Sequence, residues 1–218
     1  MYLSQLFLNS QKAFVLREIG NAHKFHQRIM QAFPDDESCD GQRPVPKDHR
    51  PREDWHILFR HELDSDKNVV LVQSEIEPDW SKLPDQYLRN HAVKEVSFTT
   101  TQLSANGIFQ FRLRANPSKR DSKTKKTVGF YRRPDQLAWL ERQADRCGFR
   151  LLSADVIPSP NVFGIKKQGA APIRIATALF QGVLEVTAPE SFVSTVQHGL
   201  GRGKSYGCGL LSLARIKT

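Results

Sequence analysis

The sequence is most easily narrowed by what it lacks. Its 218 residues hold no uninterrupted apolar run near the roughly 20 residues that a membrane-spanning helix needs. Cysteine is scarce: Cys39, Cys147 and Cys208 lie far apart and in no Cys-x-x-Cys pair. That pattern excludes a zinc cluster built from cysteines alone and does not fit a secreted disulfide framework. Cys147 and Cys208 have apolar or small neighbours and read as packed thiols, not nucleophiles. The opening run Met1–Leu8 carries no basic leader and no cleavage site; it alternates, reads as a strand, and makes the cytoplasm the expected location.

What the chain does have is positive charge in one place. The net charge is +9. Residues 1–111 hold 13 basic and 16 acidic side chains, residues 112–133 nine basic and one acidic, and residues 134–218 ten basic and six acidic. The excess is therefore a patch about one 22-residue stretch long and not a diffuse property of the surface. Such a patch favours a polyanionic partner. A basic membrane-surface protein fits poorly, because the charge runs along a strand and a loop and not on an amphipathic helix.

The order of elements repeats. Strand 2–8 precedes a helix over 22–33 stopped by Pro34, and a polar Pro- and Asp-rich loop spans 35–54. Strands at 56–63 and 68–76 are joined by a turn at 64–67; a short helix or turn follows in 79–90, then a strand over 93–101. The second passage has a strand at 108–115, a long basic loop to Arg133, a helix over 134–147, and strands at 150–157 and 173–186 separated by the excursion 158–172. A helix at 189–198, a glycine-rich loop and a strand at 209–214 complete it. Both passages read β-α-β-β-α-β, so the expected fold is α+β: two tandem ferredoxin-like domains, 1–101 and 102–218.

Three features carry chemistry. Strand 108–115 alternates, with Phe109, Phe111, Leu113 and Ala115 on one side and Gln110, Arg112 and Arg114 on the other. Arg112 and Arg114 are expected on an exposed face that runs into Lys119, Arg120, Lys123, Lys125 and Lys126, with Arg132 and Arg133 opening the next helix. These cations suit a row of phosphates and salt-dependent nucleic-acid binding. The stretch 199–209 packs five glycines around Arg202, Lys204 and Ser205, where backbone N–H groups and two cations suit a phosphate as well as a tight turn. Gly203-Lys204-Ser205 is not a P-loop: His198 stands where the first glycine belongs, and a helix precedes the loop where a strand is required.

The third feature is the first helix. Phe25, Ile29, Ala32 and Phe33 share its apolar side. His26 lies about 100° round from Phe25, with His23 one turn earlier. No suitably spaced Asp, Glu or Cys completes a metal set with these two imidazoles.

Taken together, Met1-Tyr2-Leu3-Ser4, Phe25-His26-Gln27, Ala32-Phe33-Pro34, Phe111–Pro117, Gln136–Leu140 and Gly203–Ala214 resemble the CasE family, the CRISPR RNA-processing endoribonucleases of type I-E Cascade and a branch of the Cas-six nucleases. The resemblance follows family order over nearly the whole chain, except at 35–54 and 79–107. It implies the tandem ferredoxin-like fold read above, cleavage of CRISPR repeat RNA at the base of a hairpin without metal or small-molecule cofactor, and assembly with other Cascade subunits. It puts the catalytic histidine at His26. The family's usual tyrosine one turn earlier is His23 here, so the second catalytic role falls to His23 or to a residue elsewhere, Tyr206 being a remote alternative. The implied chemistry uses the RNA's own 2′-OH as nucleophile, with His26 as general acid or base and Lys24 or Arg28 near the phosphate. Products are then a 5′-OH and a 2′,3′-cyclic phosphate or its 3′-phosphate. The rival reading is a non-catalytic RNA-binding subunit, since RRM proteins share the fold; the partial match Val128–Tyr131 falls short of an RNP1 string.

Overall fold

Alternation in the first strand sets the first layer. The computed structural model describes residues 1–34, 53–62 and 68–216. In chain order these form β1 (Tyr2–Leu8), α1 (Ala13–Ile19), α2 (Ala22–Met30), β2 (Leu58–Glu62), β3 (Val69–Ser74) and β4 (Leu88–Glu95) in the first half. The second half has β5 (Ile108–Ala115), β6 (Ser118–Arg120), β7 (Thr127–Gly129), α3 (Arg133–Arg146), β8 (Phe149–Ile157), β9 (Val162–Gly164), β10 (Ile173–Ile175), β11 (Ala178–Val186), α4 (Pro189–His198) and β12 (Leu211–Arg215). Leu6 and Leu8 point inward from β1 and pack with Val70 and Val72 of β3 under Phe25 and Ile29 of α2. In the second half Phe111 and Leu113 of β5 meet Phe180 and Leu184 of β11 beneath Leu140 of α3 and Phe192 of α4.

The two sheets have one plan. The first runs β2-β3-β1-β4 and the second β12-β5-β11-β8, so in each the first strand of the half lies between two later strands as a central member. Two such sheets, each backed by helices, make the ferredoxin-like fold twice in tandem, and the class is α+β. Among the described residues no helix is long and apolar enough to cross a membrane. Cys208 is buried and Cys147 half-buried, as packed thiols should be.

Several elements differ from the sequence reading. A seven-residue helix, α1, precedes α2 and has no counterpart in that reading. The short helix or turn expected within 79–90 is present, as the 3-10 turn Trp80–Lys82. The strand expected over 93–101 is β4 at 88–95. The single strand expected over 173–186 is two, interrupted where Asn116 Nδ2 donates to Ala176 O and Thr177 N donates to Asn161 Oδ1. The basic loop is a hairpin, β6 paired to β7. The loop at 35–52, the turn at 64–67 and Cys39 lie outside the described residues.

The halves meet through side chains of the first sheet's second face. Gln73 Nε2 donates to the Val196 and Gln197 carbonyls at the end of α4. Arg60, 2% exposed, donates from Nη1 to Arg112 O at 2.8 Å and Leu210 O at 3.1 Å, and pairs with Glu62. This seam positions everything described next.

Candidate active site and cationic surface

α2 begins at Asn21, whose Oδ1 accepts from His23 N at 3.2 Å and so caps the helix. The same amide clasps the chain just after β9 of the other half: Ile165 N donates to Asn21 Oδ1 and Asn21 Nδ2 donates to Ile165 O. Gly164 lies so close that an added Cβ would stand 3.1 Å from His23 N. Phe25 and Ile29 anchor the helix in the core, which leaves the half-buried His26 on the seam side, one turn after the half-buried His23. Arg28 is engaged elsewhere. Its guanidinium makes two contacts to the Glu18 carboxylate of α1 and lies over the Tyr87 ring, and Glu18 raises its pKa. Lys24 is exposed.

Opposite His26 stands Tyr206, ring centroids 6.2 Å apart and planes at 65°. The tyrosine ends a 3-10 turn, Lys204–Tyr206, bracketed by Gly203 at φ 80° and Gly207 at φ 81°. Both glycines occupy the left-handed region that side-chain-bearing residues avoid. A Cβ on Gly207 would also come within 3.1 Å of the Phe59 ring of β2. The glycines therefore let the loop lie flat on the first half and bring its tyrosine to the histidine. Lys204 Nζ donates to His198 O, closing the C-terminal end of α4; Ser205 is exposed. Arg202 Nη1 donates to Thr127 Oγ1, which ties the glycine loop to the β6–β7 hairpin.

The cationic surface is built from that hairpin. Lys119, Arg120, Lys123, Lys125 and Lys126 are all exposed on it. Its turn is held by Asp121 Oδ1, which accepts from Lys123 N, Thr124 N and Thr124 Oγ1; the Thr124 bonds foremost hold the carboxyl below its usual pKa. Arg132 and Arg133 are exposed at the start of α3, with Arg133 paired to Asp155.

Two arginines lie on the side that the alternation gives them but not in the open. The side of β5 that carries Arg112 and Arg114 is largely covered. Arg112 is half-buried and pairs with Glu62 at 3.1 Å, and Arg114 is 8% exposed with Nη2 donating to Pro160 O. The exposed rail expected on β5 is thus a seam, because β2 and the segment before β9 cover it. Arg60 and Tyr206 have no local signal: each matters through a contact with the other half, and sequence spacing does not encode that distance.

The chain matches the family model described as CRISPR associated protein over residues 1–215. It is 33% identical to the CRISPR-associated endoribonuclease Cse3 of Thermus thermophilus over 224 residues, 98% of this chain and all of that one. It is 38% identical to the Cascade subunit CasE of Escherichia coli over 138 residues, 56% of this chain and 64% of that one. Thermus thermophilus Cse3 bound to an RNA representing a pre-cleavage complex superposes with a TM-score of 0.76 at 30% identity, covering 98% of both chains.

Proposed function

The chain belongs to the CRISPR-associated family that includes Cse3 and CasE, and from that membership we propose that it is the endoribonuclease that binds CRISPR repeat hairpins, cuts the precursor transcript to crRNA and serves in a Cascade complex. The observation that carries the reading is His26, held at the seam by the Asn21 clasp, facing Tyr206 on a loop that is itself tied to the cationic hairpin. One unit thereby joins a proton-transfer group to a phosphate-binding arm.

The proposed mechanism uses no metal. The substrate's 2′-OH attacks the adjacent phosphate while the 5′-oxygen leaves, so the protein must take one proton, give one, and favour the crowded phosphate. His26 moves a proton as general acid or base. His23, one turn earlier, assists, and Tyr206 positions the His26 ring through its edge contact. Lys119, Arg120, Lys123, Lys125, Lys126, Arg132, Arg133 and Arg202 grip the hairpin's phosphates, with Lys204 and Ser205 at the glycine loop. Arg112 and Arg114 act at the seam. We take 1–101 and 102–218 as the two domains, and the cytoplasm as the place where the transcript is met.

The test is cleavage of a cognate repeat hairpin in EDTA by wild type and His26→Ala, with a parallel substrate whose scissile nucleotide is 2′-deoxy. Cutting by wild type on the ribose substrate alone, leaving a 5′-OH, with His26→Ala still binding, is the expected result. A requirement for magnesium or 5′-phosphate ends would discard the mechanism. Tight binding without cutting would leave the non-catalytic RNA-binding subunit.

A further inference from the structure

Behind the His26–Tyr206 pair lies a cavity of about 190 Å³ between the two halves. Phe25, the neighbour of His26 on α2, and Tyr206 both line it, so it opens directly beside the proposed reaction centre. Phe59 and Phe163 complete an aromatic wall. Phe163 belongs to β9, which the Asn21 clasp fixes against the first turn of α2. Although it lines the cavity it is 45% exposed, an apolar ring held toward solvent at the mouth.

Two polar residues of the wall are not satisfied. Arg114 is buried, its Nη2 reaches the Pro160 carbonyl, and its Nε has no hydrogen-bond partner among the described residues. The ring nitrogen Nε2 of His61 is likewise buried and without a partner among them. Burial first and the neighbouring Arg114 guanidinium second push the His61 pKa below its ordinary value, which keeps the ring neutral near pH 7. The Nε2 of a neutral imidazole accepts or donates according to its tautomer, and Arg114 Nε–H is a donor on the same wall. Buried polar groups are nearly always paired, so two orphans in one cavity wall need an explanation.

Resting on the RNA reading above, we propose that this cavity receives a single unstacked nucleobase next to the scissile phosphate, with Phe163 against its face and His61 and Arg114 bonding its edge. The size suits one ring system: it falls below the roughly 300–1,000 Å³ of pockets for larger ligands and exceeds several waters at about 30 Å³ each. A neutral imidazole nitrogen beside a cationic donor, set among four aromatic rings, matches the edge and face of a base and not the oxygens of a phosphate. Unstacked bases of RNA are read in this way. Drawing the base aside also straightens the strand next to it, which is what in-line attack by the 2′-OH requires.

The experiment uses the full chain and a 2′-deoxy, uncleavable repeat hairpin, so that binding is read apart from catalysis. An abasic site is placed in turn at each nucleotide flanking the scissile phosphate, and Kd is measured for wild type and Phe163→Ala. Phe163 sits at an exposed position, so its replacement leaves the fold in place. Removing the stacking ring should raise Kd for the intact hairpin roughly 5- to 100-fold. At one position the abasic hairpin should show the same weakening with wild type and no further weakening with Phe163→Ala. With His61→Leu, discrimination among the four bases at that position should flatten; unchanged discrimination overturns the edge contact. Tight hairpin binding with no position whose abasic effect depends on Phe163 overturns the pocket alone. No hairpin binding by wild type overturns the RNA reading and the pocket with it.

Discussion

An imidazole acts as acid or base near neutrality only if the fold holds its ring where a proton must move. His26 is held from two sides, by the helix that Phe25 and Ile29 anchor and by the Tyr206 ring. Its replacement by Ala removes the proposed proton-transfer group while Phe25 and Ile29 keep the helix seated. Single-turnover cleavage should fall by about 10²- to 10⁴-fold with hairpin affinity within a few-fold of wild type; a rate drop below tenfold would move the chemistry to His23 or Tyr206. Tyr206→Phe keeps the edge contact and Tyr206→Ala removes it, so a positioning role requires the Phe variant to retain most activity and the Ala variant to lose it. A second residue-scale effect concerns stability. His61 and His56 both have folded-state pKa values below the ordinary histidine value, chiefly through burial. The unfolded chain therefore binds more protons than the folded one as pH drops through the ordinary histidine value, and stability is lost in that direction. Urea midpoints should fall as the buffer is taken from about one pH unit above the ordinary histidine value of roughly 6.5 to about one below it, and less so in His61→Leu. An identical fall in the variant would take His61 out of the linkage.

At the scale of elements, the β6–β7 hairpin is the exposed cationic arm, and its effect is electrostatic. Replacing Lys123, Lys125 and Lys126 together by Ala should weaken hairpin binding and flatten the dependence of log Kd on log salt by about 0.7–0.9 for each phosphate no longer neutralised. Unchanged slope and affinity would take this arm out of the interface. The arm's charge is plain in the sequence; its pairing is not, because Ser118–Arg120 and Thr127–Gly129 are each three residues long and carry no alternation. Elements with strong local signals are legible: strand 108–115 by its alternation, and helix 189–198 by its leading proline and following glycine. α1 escapes such a reading because it is seven residues long, without a side-chain cap, and draws its support from the Glu18–Arg28 pair with the next helix. β4 is displaced from its expected place because its residues are almost all exposed, so that pairing with β1 and not a hydrophobic pattern sets its bounds. The site divides in the same way. His26 can be read from a helix, whereas Tyr206 reaches it only through glycines in left-handed conformations that seat the loop on Phe59.

The whole molecule works as one unit because the two ferredoxin-like sheets are pinned at a seam, and the pin is Arg60. Its guanidinium is 2% exposed, pairs with Glu62, and donates to the backbone of β5 at Arg112 and of the loop before β12 at Leu210. Glu62 in turn reaches Arg112, so one carboxylate serves two arginines from different halves. A buried pair of this kind adds little compared with a well-packed apolar substitute, yet removing Arg60 takes its donors from Arg112 O and Leu210 O and leaves Glu62 to Arg112 alone. Arg60→Ala should therefore cost roughly 2–4 kcal/mol in urea unfolding, whereas Arg60→Met with Glu62→Gln should recover much of that stability. The functional consequence follows from geometry. His26 stands on the first half and Tyr206 on the second, and their 6.2 Å approach depends on the seam. In the double variant, recovered stability without the Arg60 bonds to Arg112 O and Leu210 O should leave hairpin binding by the second half's cations near normal while cleavage stays depressed. Full cleavage by that variant would show that the aromatic contacts alone, Phe25 against Phe59 and His26 against Tyr206, hold the proposed catalytic histidine and its positioning tyrosine in register.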